Sequence, residues 1–148
     1  MPRWVLDTNV YIRASRERGA RLALDRFLDR HFSRTDFAAT VWLELQVGVR
    51  NPSAQRGLDE MVAPYVERGA MLAPAAQTFQ QAGRVLAALA VAEGLELDAV
   101  RPSLHHDVLL ACTVREHGRT LVTANAADFA RIRRQLRGFR FVTTLPLR

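Results

Sequence analysis

The stretch Trp4-Val5-Leu6-Asp7-Thr8-Asn9-Val10-Tyr11-Ile12 decides the fold. Three apolar residues make a short buried strand, an acid ends it, and apolar residues then recur at helical spacing. A strand that passes at once into a helix opens a βα unit. In a parallel sheet built from such units, polar groups at the carboxyl ends of the strands are where sites collect. Working outward, the periodicity predicts helices near 8–17 and 20–32 and a strand at 36–39. A helix should follow from Thr40, as N-cap, through Arg50, and another from Pro52 to near Gly69. Pro74 starts a long helix to about Glu93, and Ser103 caps one that runs to His117 and stops at Gly118. A buried strand over 120–123, a helix near 126–136 and a strand near 139–143 complete the pattern. The expectation is an α/β chain with a central, mostly parallel sheet of four to five strands covered on both faces. No repeat or Gly/Ser linker divides it, so a single domain over 1–148 is expected.

Composition narrows the chemistry. With 148 residues, 49% of them hydrophobic, the chain is long enough for a core without staples, and Cys112 has no second cysteine to pair with. The absence of an export signal or membrane span predicts a cytoplasmic protein. All 21 basic residues are Arg, which excludes mechanisms that need a lysine, such as a P-loop or a Schiff base. Residues 13–34 hold seven Arg against three acids, residues 131–148 six against none, and residues 35–130 seven against eleven. An acidic middle between two basic segments suits a polyanion brought to a cation-binding centre, although genome base composition, rather than a partner, explains an Arg-rich, Ala-rich chain without Lys equally well.

Several acidic or amide positions are poorly explained by local structure. Asp7 suits a helix N-cap, but Thr8 and Asn9 beside it are equally able caps. Glu44 lies in Val41-Trp42-Leu43-Glu44-Leu45-Gln46-Val47, apolar nearly all round and therefore expected to be buried, where a carboxylate needs an Arg partner or a metal. Asp107 heads the apolar stripe of Leu110, Ala111 and Val114, where a favourable macrodipole is the plainer explanation. Asn125 and Asp128 stand in near capping-box relation after the fourth strand, so helix capping and a site role remain equally open. Converging carboxylates repel by several kcal/mol, on the order of 4 per pair at about 4 Å and a dielectric near 20. Oxygen-only donors select a hard ion, Mg²⁺ or Mn²⁺, over zinc.

The ordered set Asp7-Thr8-Asn9, Glu44-Leu45-x-x-Gly48, Asp107 before Leu110-Ala111, and Thr123-x-Asn125-x-x-Asp128-Phe129 resembles the PIN-domain ribonucleases, most of all the VapC-type toxins of bacterial toxin–antitoxin pairs. The resemblance spans essentially the whole chain. It implies a three-layer α/β/α fold and a Mg²⁺- or Mn²⁺-dependent endoribonuclease that hydrolyses RNA by a metal-activated water. It also implies silencing by a cognate antitoxin, and a homodimer. Asp7, Glu44 and Asp107 then match the metal-coordinating acids, with Thr8, Asn9 and Thr123 supporting them. Asn125 stands where many members carry a further Asp, and Asp128 is the candidate to replace it. Arg13 and Arg16, on the helix after Asp7, are candidates for the RNA phosphates. The rival reading is a catalytically weak module of the same fold that binds RNA or a protein. An aspartyl-phosphate enzyme ranks far lower, since Asn9 stands two residues after Asp7 and no Lys exists.

Overall fold

In a computed structural model, residues 1–96, 98 and 100–146 are described. Strand β1 (Trp4–Leu6) leads through Asp7 into α1 (Thr8–Arg16) and α2 (Arg18–His31). After a short 3-10 turn come β2 (Thr35–Ala38), α3 (Ala39–Val47), α4 (Pro52–Glu67) and β3 (Met71–Leu72). The rest is α5 (Ala76–Glu93), α6 (Pro102–Glu116), β4 (Thr120–Val122), α7 (Ala126–Gln135) and β5 (Phe141–Val142). The strands form one sheet in the order β3-β2-β1-β4-β5, and each neighbouring pair is parallel. Helices flank it in a three-layer α/β/α arrangement. The single domain expected over 1–148 includes Leu97, Ala99, Leu147 and Arg148, which lie outside the described residues.

The central strands carry the apolar runs that parallel packing demands. Val5, Leu6, Phe37, Leu121 and Val122 are all buried, and Val41, Val108, Phe129 and Ile132 pack onto them from the helices. Tyr11, Phe37 and Tyr65 continue the core as a run of tilted aromatic contacts. Helix α6 ends at the turn where Gly118 takes a φ of +66°, a conformation that favours glycine, and the chain then enters β4. Cys112 is buried and its thiol is pushed up to about 11 by that burial, so it packs rather than reacts.

Three expectations are corrected. The two-residue β3 was not anticipated, because so short a strand between a helix and Pro74 has no periodicity to read. Helix α6 is capped at Arg101 with Pro102 at its first turn, not at Ser103, so Asp107 is the sixth helical residue, two further in than that cap would place it and beyond the first turn, where the macrodipole acts. Helix α3 begins at Ala39 with Ala38, not Thr40, in the N-cap position. It is also not buried all round: only Thr40 and Val41 are buried, while Leu43 and Val47 are 54% and 65% exposed.

At the amino end of the sheet, Asp36 is 2% exposed and is bridged by Arg3 at 3.0 Å and by Arg119 from the start of β4. This ion-pair group clips β1, β2 and β4 together. Asp36→Ala should cost about 2–3 kcal/mol, below the full ~3–5 kcal/mol of a wholly buried pair, because both arginines reach solvent and can rehydrate. A chemical-denaturation midpoint unchanged by the substitution would contradict that role.

Candidate active site

Parallel strands bring distant residues to one edge. Asp7 follows β1, Thr123 follows β4, and α3, which carries Glu44, follows β2. Asp7 is buried and three donors hold its carboxylate. Its Oδ1 accepts from the Thr8 amide at 2.8 Å, and its Oδ2 accepts from Thr123 Oγ1 at 2.7 Å and Asn9 Nδ2 at 3.0 Å. The cap and the site are therefore the same residue: one oxygen closes α1 while the other is held by side chains 2 and 116 positions away. Asn9 is itself fixed, donating to Thr123 Oγ1 at 3.2 Å and accepting from the Ala124 amide at 3.1 Å. Thr8 links the second acid, its Oγ1 donating to Glu44 Oε1 at 3.1 Å.

The electrostatics are those of acids whose burial and mutual charge outweigh the cations nearest them, Arg101 for Asp107 and His106 for Glu44. Burial raises the Asp7 carboxyl, against the lowering effect of its three hydrogen bonds. Burial also raises Glu44, with Asp7 adding to it and Thr8 and His106 opposing. Asp107 is pushed up to about 7, first by burial and then by the charges of Asp7, Glu44 and Asp128. Among the described residues none of these three acids has an ion pair with Arg or His. Nor do any three His, Cys, Asp or Glu side chains there form a ready ligand cluster. The acids face a common region and repel across it; they do not close on a point. Asp7 raises the proton affinity of Glu44, and both raise that of Asp107, so as donors the three carboxylates suit a hard divalent cation, whose charge would remove the repulsion.

Asn125 and Asp128 belong to a different arrangement. Asn125 is the N-cap of α7, accepting from the Asp128 amide, and its Nδ2 donates to Asp128 Oδ2 at 3.0 Å. Asp128 is held low, chiefly by that bond and then by Arg131, which donates to it at 2.7 Å, and by Arg101 at 3.8 Å. Arg131 also binds Glu93. Reading the sequence for single acids missed this rim, although an Arg three residues after Asp128 on a helix is a visible signal.

Arg13 and Arg16 diverge. Arg13 lines a cleft of ≈ 640 Å³ together with Asn9 and Thr123, and donates to Glu17 at 3.0 Å on the helix surface. Arg16 lines a separate groove of ≈ 730 Å³ between α1, α2, α3 and α4, which Glu44 also lines.

No family model matches the chain, and no curated protein matches it. Solved structures do. The chain is similar to one in the DNA-bound VapBC structure from Salmonella typhimurium, with 22% identity and a TM-score of 0.67 over 96% of this chain and 98% of that one. It is similar to one in VapBC2 from Rickettsia felis bound to a DNA fragment from their promoter, with 19% identity and a TM-score of 0.66 over 94% and 96%. For FitAcB from Neisseria gonorrhoeae the values are 20%, 0.63, 87% and 92%. The chain has the PIN-like fold. Within it, Asp7 and Thr123 end neighbouring strands β1 and β4, and Glu44 sits on the helix after β2, so the order in the sequence becomes nearness at one sheet edge. Among the described residues no helix is long and apolar enough to cross a membrane.

Proposed function

We propose that this chain is a divalent-metal-dependent endoribonuclease, a cytoplasmic toxin of a toxin–antitoxin pair, with Asp7, Glu44 and Asp107 as the residues that hold Mg²⁺ or Mn²⁺. The observation that carries the reading is the set of three acids of raised proton affinity, none in an ion pair among the described residues, on elements that meet at the carboxyl edge of a PIN-like sheet. When bound, such a cation supplies charge neutralisation at a phosphodiester and lowers the pKa of an attacking water. The chain's own residues do the positioning. Thr123 and Asn9 fix Asp7, Thr8 fixes Glu44 relative to α1, and the low-dielectric surroundings that burial provides strengthen every charge interaction in the site. The experiment that tests this is RNA turnover by the purified protein with Mg²⁺, with EDTA, and with Mn²⁺ restored.

Asp128 is assigned a positioning role rather than a ligand's, since Arg131 and Arg101 already balance its charge and Asn125 holds its second oxygen. Asp128→Asn should change turnover by less than about tenfold, the low end for groups that act on a site through others. A loss as large as that of Asp7→Asn would place Asp128 among the ligands.

The groove between α1 and α4 supports the protein-partner part of the reading. Tyr11, Leu24, Leu45, Leu58 and Met61 line it beside Glu44 and Arg16, a mixed apolar and charged surface suited to an amphipathic antitoxin segment that would cover the site. The exposed Trp42, Leu43 and Val47 of α3 support a homodimer, because a contiguous apolar strip on a helix marks an association surface. Sedimentation should give a dimer at tens of micromolar, and a monomer there would contradict this assignment. The weak-module alternative draws on Asn125, but that amide has a capping role at its position and so does not argue for a damaged site.

A further inference from the structure

Resting on the ribonuclease reading, we infer that the substrate strand runs through the cleft between α1–α2 and the segment after β5, and that Arg26 is a phosphate-binding residue acting with Arg13. The cleft holds ≈ 640 Å³ and its lining includes Asn9 and Thr123, the two side chains that bind the Asp7 carboxylate. What fills it against those two side chains lies one hydrogen bond from Asp7. One wall presents Arg13 from α1 and Arg26 and Arg30 from α2; the last two are four residues apart and so lie on one helix face. None of the described lining residues is acidic. The second groove, by contrast, mixes Arg16 and Arg21 with Asp25, Glu44 and Glu60. Of the two, the cleft is the one whose lining charge favours a polyanion.

Size and shape agree with a nucleotide strand. The volume lies within the roughly 300–1,000 Å³ of sites that enclose one or two small-molecule units. Gly19, Ala20 and Ala23 keep the α2 wall low, and Thr143 and Thr144 face it from the other side with hydroxyls that can donate or accept. Arg26 is exposed and makes no ion pair among the described residues, so it meets a phosphate without first breaking a bond. Arg13 must give up only a solvent-exposed pair with Glu17. Phe27, the aromatic residue of the lining, is buried at 3% exposure and offers no stacking face. Backbone charge rather than base identity is therefore what this part of the site reads.

The test is RNA binding in EDTA, where turnover is stopped, by fluorescence polarisation of a labelled single-stranded oligonucleotide across a salt series. The variants are the double substitution Arg13→Gln/Arg26→Gln and the charge-preserving Ala23→Phe, which fills the cleft from an exposed helix position. Arg84→Gln on α5, packed against α6 and α7, removes a charge elsewhere. The double variant should weaken binding about tenfold or more and lower the salt slope by about 1.4, two single-strand phosphate contacts at about 0.7 each. Ala23→Phe should weaken binding with the slope less changed, and Arg84→Gln should resemble wild type. Affinity and slope in both cleft variants equal to those of Arg84→Gln, in a wild type that binds and cleaves RNA, would overturn the cleft assignment alone. Loss of partner-protein binding in the cleft variants with RNA affinity intact would overturn it too. A wild type that neither binds nor cleaves RNA would overturn the ribonuclease reading itself.

Discussion

Asp7→Asn is expected to lower RNA cleavage by about a thousandfold or more while leaving the fold intact. The substitution keeps the shape of a side chain that is 4% exposed and removes the charge a divalent cation requires. Its amide oxygen can still accept from the Thr8 N–H, so α1 keeps its cap. The new NH₂ group meets two donors: Thr123 Oγ1, whose lone pairs are already engaged by Asn9 Nδ2 and the Asn125 amide, and Asn9 Nδ2, whose amide cannot flip freely because Asn9 Oδ1 is engaged by the Ala124 amide. That mismatch costs about 1–3 kcal/mol. Relief from holding a buried carboxylate offsets it, since burial already raises the Asp7 carboxyl. Melting should therefore shift little while turnover disappears. Cleavage retained at wild-type rate by a folded Asp7→Asn protein would remove the assignment of Asp7 as a ligand.

Asp107→Asn should have effects of opposite sign on activity and stability. Asp107 titrates at about 7 in the folded chain against an ordinary value of 3.8. The folded state thus holds this proton more tightly than the unfolded one. Its contribution to stability is fully present below about 3.8 and is lost as pH rises through about 7. Above that, the metal-free protein carries a penalty on the order of 2 kcal/mol, reduced from the full value of the shift by solvent reaching a half-buried carboxyl. The Asn variant carries none. At pH 8 in EDTA it should melt roughly 4–8 °C above wild type, and near pH 4 the difference should vanish. Mg²⁺ should raise the melting temperature of wild type at pH 8 much more than that of the variant, and the variant should not cleave RNA. A variant that melts below wild type at pH 8 without metal would contradict the picture of mutually repelling acids.

Much of this was legible in the residues. Trp4-Val5-Leu6 before Asp7 and Leu121-Val122 before Thr123 are apolar runs cut off by polar groups, and such runs specify central parallel strands whatever surrounds them. Gly118 ended α6 as read, because the required backbone conformation leaves few other choices. Helix α3 misled, since an apolar sequence reports that a surface will be covered without reporting by what. Here Leu43 and Val47 remain open within the chain. The pairing of Asp36 with Arg3 and Arg119 could not be read, because ion pairs across 33 and 83 residues leave no local pattern. The same holds for the separation of Arg13 from Arg16. Three residues apart on α1, they open onto different grooves because α2 folds back along that helix and divides its surface.

The ribonuclease claim is tested most directly by incubating the purified protein with a cellular RNA pool in Mg²⁺, in EDTA, and in EDTA followed by excess Mn²⁺, and resolving the products by size. Discrete fragments with Mg²⁺, none with EDTA, and the same fragments once Mn²⁺ is restored are the predicted result. Fragments of equal amount and size in all three samples, or intact RNA in all three with the protein folded, would contradict it.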